Sequence, residues 1–200
     1  MSYVIGITGG VGAGKSQVLS LLKENFGAEV IAADEVGREL MEPDGTCFLP
    51  VAELFGPAVI KADGTLDRAM IAGIIFRDKE MLERQNAIIH PAVKEEIVHR
   101  CRSSKAKWVA VEAALLLEAH YEDVCDEFWY IYADENTRRR RLRESRGYTD
   151  ERIDAVMNSQ LTDEQFRCSC DRVIDNSGSL TETKVQIERV LKELKTKEEN

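Results

Sequence analysis

The sequence has no run of about 18 apolar residues, so no membrane-spanning helix is expected. No basic stretch precedes an apolar one at its start, so no secretory leader is expected either, and cytoplasm is the expected compartment. Positive charge is in short supply. With 27 Lys and Arg against 36 Asp and Glu, the net charge is −9. A general nucleic-acid binder needs a broad basic face to displace counterions, and that class is excluded. Cysteine is sparse, odd in number and scattered: Cys47, Cys101, Cys125, Cys168 and Cys170. Only the last two are close, and no second pair completes a zinc set, so reduced thiols are expected. Proline numbers only four, and all of them fall between Pro43 and Pro91.

Apolar residues make up 44% of the 200 positions and charged residues 32%, enough for one domain with a sizeable core and a solvated surface. Tyr3–Thr8 (YVIGIT) is a short β-branched run that suits a strand buried on both faces. Lys15–Phe26 repeats its apolar residues at helical spacing and is closed by Gly27, a C-cap residue. Val30–Ala33 reads as a second strand ending at Asp34, and Val36–Met41 as a helix. Alternating strand and helix predict an α/β fold with a parallel sheet flanked by helices. From Pro43 to about Pro91 that rhythm breaks, with helical patterns at Val51–Phe55, Asp67–Phe76 and Lys79–Ile89 and no strand pair. This stretch is predicted to be a helical insertion. Strands resume at Trp108–Val111 and Phe128–Tyr132, with a short one at Val173–Ile174. Helices are predicted over Asn136–Arg146, Asp150–Gln160 and Leu180–Leu194, and the polar tail from Lys192 is expected to fray.

Gly9-Gly10-Val11-Gly12-Ala13-Gly14-Lys15-Ser16 satisfies G-x-x-x-x-G-K-[ST] in full, between a buried strand and a helix. Glycines let the backbone curl so that successive N–H groups meet phosphate oxygens. The helix that follows turns its positive dipole end to the same anion. Lys15 is placed to bridge the β- and γ-phosphates and Ser16 to hold Mg²⁺. The expected ATP-binding set is Gly10, Val11, Gly12, Ala13, Gly14, Lys15, Ser16 and Gln17. Asp34, at a carboxyl strand end, is open between two readings: a base or Mg²⁺ ligand, or the N-cap of the next helix.

The ordered elements extend further. The P-loop is followed by Val30-Ile-Ala-Ala-Asp34, Phe55-Gly56, Asp63-Gly-Thr-Leu-Asp-Arg68, His90-Pro91, Ala114-Leu-Leu-Leu-Glu118, Gln160 and Asp171–Asn176. This series resembles the dephospho-CoA kinase family over about residues 3–180. The resemblance implies a P-loop NTPase fold with a helical substrate-binding insertion and a helical lid, within one kinase domain. Its core is expected at about 1–34, 105–135 and 170–200, the substrate region at about 35–104 and the lid at about 136–169. It implies transfer of the ATP γ-phosphoryl group to the ribose 3′-hydroxyl of dephospho-CoA, the last step of coenzyme A biosynthesis. Asp34 becomes the catalytic base, Arg68, His90 and Glu118 lie on the substrate side, and Asn176 sits in a loop beside the adenine. His90 also reads as a packing residue at a helix boundary. The chain departs from the family at Ala32, where an Asp is usual, at Ala114, where a Pro is usual, and at Gln17, often Thr. Glu112, ending its strand, is open between an outer-shell carboxylate for the metal and a solvated charge.

Arg138–Arg141, Arg143 and Arg146 form the only dense cationic run. Guanidinium forks stabilise a transferring phosphoryl group, and a closing lid excludes water. The family spacing is off by one here, and Arg141 and Arg146 are the predicted lid arginines, with Arg138–Arg140 mostly solvated. Two other classes compete. A kinase for another acceptor, such as a nucleoside monophosphate, would share core and lid. A GTP-dependent switch would need N-K-x-D, which does not occur. The oligomeric state is not legible.

Overall fold

Tyr3–Thr8 forms the first strand, β1, with Val4, Ile5 and Ile7 all buried. Apolar residues on both faces of one strand need cover on both sides, which a parallel sheet between helices supplies. The computed structural model, which describes residues 2–113, 116–117 and 121–198, has that architecture. The remaining strands are β2 (Glu29–Ala32), β3 (Trp108–Glu112), β4 (Glu127–Tyr132) and β5 (Arg172–Asp175), ordered β2-β3-β1-β4-β5. β1 pairs in parallel with β3 and β4, and β4 with β5. The helices are α1 (Lys15–Phe26), α2 (Ala33–Leu40), α3 (Phe48–Phe55), α4 (Arg68–Ile75), α5 (Lys79–Ser103), α6 (Glu135–Arg146), α7 (Asp150–Asn158), α8 (Asp163–Ser169) and α9 (Leu180–Glu198).

The chain divides into two compact units, residues 1–30 with 104–200, and residues 31–103. In the first, Val18 and Leu22 of α1 and Ile187, Leu191 and Leu194 of α9 join Ile5, Ile7, Trp129, Ile131 and Ile174 in one core. Each such side chain contributes about 1.5–3 kcal/mol by leaving water. The parallel register sets Ile7 beside Glu112, Thr8 beside Tyr130 and Tyr132 beside Asp175. The carboxyl ends of four strands therefore finish along one edge, where α/β sheets bind ligands.

The second unit has its own core of Cys47, Phe48, Val51, Ala52, Val59, Leu66 and Ile71. It contains an isolated antiparallel bridge, Ile60 to Leu66, and four helices, with α5 packing on α2, α3 and α4. Much of the Asp63–Arg68 motif is scaffold. Asp63 accepts from Thr65 N at 2.9 Å and Thr65 Oγ1 at 2.7 Å, Leu66 is buried, and Asp67 caps α4 by accepting from Met70 N.

Three expectations need correction. The helix predicted to stop at Ile89 runs through Pro91 to Ser103. A proline inside a helix removes one hydrogen bond and costs about 3 kcal/mol. Beyond it Val93, Ile97 and Cys101 are buried, and burial of that size offsets the loss. His90 consequently lies exposed within a helix, not at its boundary. The tail expected to fray after Leu194 stays helical to Glu198. α8 was not predicted at all, although Thr162 and Gln165 form a complete capping box at its start.

Candidate active site

β1 ends on buried Thr8, and the chain passes through Gly9–Gly14 into α1. Gly14 is the N-cap, with φ of 87°, a left-handed conformation that strains any residue bearing a Cβ. A Cβ there would also strike the side chains of Asn176 and Gln17. No side chain caps α1, so its amino end and dipole stay open to an anion. The loop is curled by Ala13 N donating to Gly10 O at 3.1 Å and Gln17 N to Gly14 O at 3.0 Å. Among the described residues no acceptor engages the N–H groups of Gly12, Gly14 or Ser16. That is a donor set of the kind a phosphate requires.

Lys15 Nζ donates to Gly9 O at 2.8 Å and lies 3.9 Å from Glu112 Oε1. The Glu112 side chain is 23% exposed, so it is partly withdrawn from solvent beside Lys15. Among the described residues no three His, Cys, Asp or Glu side chains gather into a metal cluster. Mg²⁺ does not demand one, since it keeps several waters and binds through one or two protein oxygens plus phosphates. The exposed Ser16 hydroxyl, in the first turn of α1, and the Glu112 carboxylate are hard oxygen donors of the right kind.

Four side chains from distant parts of the sequence close on the loop. Asn176 is fully buried; its Nδ2 donates to Ala13 O at 2.8 Å, and its Oδ1 accepts from Thr183 Oγ1 at 2.9 Å. Its backbone N–H goes to Tyr132 O at 2.8 Å, and Ser177 N donates to Asp175 Oδ1 at 2.8 Å, an Asx turn. Arg141 donates to Ala13 O at 3.0 Å and Asn176 O at 2.8 Å. Arg138 Nε donates to Val11 O at 2.9 Å, and Gln160 Oε1 accepts from Val11 N at 2.9 Å and from Arg138 Nη2 at 3.3 Å. Burial holds both guanidinium groups below the usual arginine range.

The expectation that Arg138–Arg140 are mostly solvated is therefore corrected at two positions. Arg138 packs on the loop, and Arg139 pairs with Glu135 and Asp154; Arg140 is exposed. On a helix, residues three apart share a face, and Arg138 and Arg141 share the one turned to the P-loop. Arg146 is exposed and lies 5.9 Å from the centre of the Tyr148 ring, with Arg152 at 4.1 Å. A hydrogen bond from Arg146, with both positive charges, draws the Tyr148 phenol below its usual range.

Within the second unit, Asp34 is exposed in the first turn of α2, whose N-cap is Ala32 with no side-chain capping bond. The capping role considered for Asp34 is thus not used. Arg68 donates to Arg38 O at 2.9 Å and Glu42 Oε1 at 2.6 Å. It lines a cleft of about 250 Å³ with Met41, Glu42, Lys61, Thr65 and Asp67. Glu118 and the neighbouring Ala114 lie outside the described residues. Sequence reasoning missed Arg138 and Thr183. The three-residue spacing does allow Arg138 to share the Arg141 face, but the family pattern outweighed it; nothing in the sequence points to Thr183.

The dephospho-CoA kinase family model matches residues 3–182. The dephospho-CoA kinase of Carboxydothermus hydrogenoformans is 34% identical over 198 residues, covering 98% of this chain and 96% of that protein. A solved structure from Thermus thermophilus is similar at a TM-score of 0.79 with 30% identity, covering 96% of this chain and 98% of its own. The dephospho-CoA kinase from Campylobacter jejuni shares the fold at a TM-score of 0.73 and 22% identity, over 97% of this chain and 98% of that one.

Proposed function

The chain belongs to the dephospho-CoA kinase family, and from that premise we propose how its residues divide the work of phosphoryl transfer. The enzyme is an ATP-dependent kinase that moves the γ-phosphoryl group to the ribose 3′-hydroxyl of dephospho-CoA. A bond forms between the 3′-oxygen and Pγ as the bond from Pγ to the β,γ-bridging oxygen breaks, and ADP leaves. The hydroxyl proton passes to the Asp34 carboxylate. A kinase for another acceptor or a nucleotide switch is not favoured.

The observation that carries the assignment is the curled P-loop, with Lys15 anchored at Gly9 O and beside Glu112. The loop Gly10–Gly14 and the first turn of α1 wrap the triphosphate, with the N–H groups of Gly12, Gly14 and Ser16 as donors, while Val11, Ala13 and Gln17 spend theirs on holding the curl. Lys15 then stabilises the charge that builds between the β- and γ-phosphates. Arg141, already at the loop, and Arg146, from the end of α6, meet the equatorial oxygens. Asn176 acts from beneath, by fixing the Ala13 carbonyl. The Ser16 hydroxyl would hold Mg²⁺, with Glu112 in its outer shell, and the ion would supply positive charge to the phosphates.

Asp34 as base is supported by its match to the family position and by a carboxylate that caps nothing. Arg68, beside the cleft it lines, His90 and Glu118 belong to the acceptor side in this reading. A cytoplasmic setting is part of the same proposal.

The test is ADP release with dephospho-CoA, with nucleoside monophosphates and with no acceptor. Release with dephospho-CoA alone is expected, and equal release without acceptor would sink the kinase reading. Asp34→Asn is expected to keep ATP affinity within about twofold and lose at least about a hundredfold in kcat, the usual contribution of a general base. Full turnover in that variant would remove the base role.

A further inference from the structure

Val11 is held at both ends of its own backbone. Its N–H is taken by Gln160 Oε1 and its C=O by Arg138 Nε, and Arg138 Nη2 reaches the same Gln160 oxygen, which closes a three-membered ring of hydrogen bonds. The Arg138 guanidinium also lies on Gly10, where a Cβ would come within 2.5 Å of Nη2 and 2.7 Å of Cζ. α6 supplies Arg138, and Gln160 follows α7, so two segments outside the loop converge on one residue within it.

Two features make this arrangement unusual for a surface arginine. Arg138 is half-buried, and among the described residues it hydrogen-bonds only neutral acceptors, with the Glu135 and Asp163 carboxylates acting on it only through space, while Arg139, Arg143 and Arg167 each pair with a carboxylate. A partly buried charge satisfied by neutral groups is costly to place, and here it is placed on the phosphate loop of an acidic protein. Gln160 diverts the Val11 N–H away from any phosphate. Ala13 N is likewise taken by Gly10 O, while among the described residues the N–H groups of Gly12, Gly14 and Ser16 have no acceptor.

We propose that Arg138 and Gln160 are a positioning pair for the nucleotide: by fixing Val11 they hold the loop in its phosphate-binding curl before ATP arrives. The proposal rests on the kinase reading and deepens it. Preorganised donors bind an anion without first being ordered. Release of Val11 lets the loop sample other curls and weakens ATP while leaving the acceptor untouched.

Gln160→Ala and Arg138→Ala are each expected to raise the KM for ATP about tenfold, the value of one charge-assisted hydrogen bond. The KM for dephospho-CoA should stay within about twofold. Because the ring fails as a unit, the double variant should match the worse single variant, not the product of the two. Gln160→Glu keeps an acceptor for both donors and should recover most of the ATP affinity. Should Gln160→Ala fold poorly, Gln160→Met removes the oxygen while keeping side-chain length, and ADP titration calorimetry on it reads the same loss. An ATP KM within twofold of wild type, effects that multiply in the double variant, or both KM values rising together would overturn the proposal. Wild-type turnover with dephospho-CoA is the control. If it is present while the variants behave as wild type, the pair has no positioning role and the kinase reading stands; if it is absent, the kinase reading fails first.

Discussion

Replacing Asn176 by alanine tests whether the P-loop is propped from within the core. The side chain is fully buried and spans three partners: Ala13 O at 2.8 Å, Gln17 Oε1 at 3.3 Å and Thr183 Oγ1 at 2.9 Å. Truncation removes two well-formed hydrogen bonds, about 1 kcal/mol each net. It also leaves a small void, adding about 1 kcal/mol. Both partners keep part of their pairing, since Ala13 O still accepts from Arg141 and the Thr183 hydroxyl still donates to Ser179 O. The total is then about 2–3 kcal/mol, or roughly a 4–12 °C fall in melting temperature for a chain of this size. Denaturant unfolding of Asn176→Ala, Thr183→Val and the double variant isolates the buried bond. A coupling of about 1 kcal/mol between the two positions is expected. The ATP KM should rise as well, because the Ala13 carbonyl loses its fixed partner. A loss below about 0.5 kcal/mol, or strictly additive variants, would refute the view that this asparagine ties β5 and α9 to the loop.

Arg141→Ala is expected to lower kcat more than Arg146→Ala in steady-state assays, since Arg141 already reaches Ala13 and Asn176 whereas Arg146 rests near Tyr148; equal losses would show that the nucleotide complex rearranges α6. The Cys170 thiol, pushed up to about 12 by burial and then by Asp171, should resist a thiol reagent at pH 8 while exposed Cys168 reacts. Because the folded value lies above the ordinary one, the unfolded state ionises first as pH rises. The stability contributed by neutral Cys170 is present below about pH 9 and lost between pH 9 and 12. Cys170→Ala should flatten that alkaline loss in pH-resolved melts, and an unchanged slope would contradict it.

β1 and α1 were legible to the residue, because an apolar β-branched run, a glycine cluster and a helical apolar repeat closed by Gly27 each act locally. The P-loop was legible for the same reason: its chemistry needs residue types at fixed spacing along one stretch of chain. α5 misled the reading because Pro91 is a local stop signal that distant packing of Val93 and Ile97 overrides. α8 was missed although its capping box is local, since its seven residues bury only Phe166 and show little periodicity.

The sequence alone determined the fold class, the phosphate loop and the family, all of which follow from short-range patterns and their order. Only the tertiary structure decided which of six clustered arginines turn to the loop, that Glu112 lies beside Lys15, and that Asn176 is consumed inside the core. Those outcomes depend on which face of α6 packs and on segments brought to the P-loop from more than a hundred residues away. No local rule encodes a partner that far along the chain; burial and hydrogen-bond satisfaction choose it once the sheet has closed.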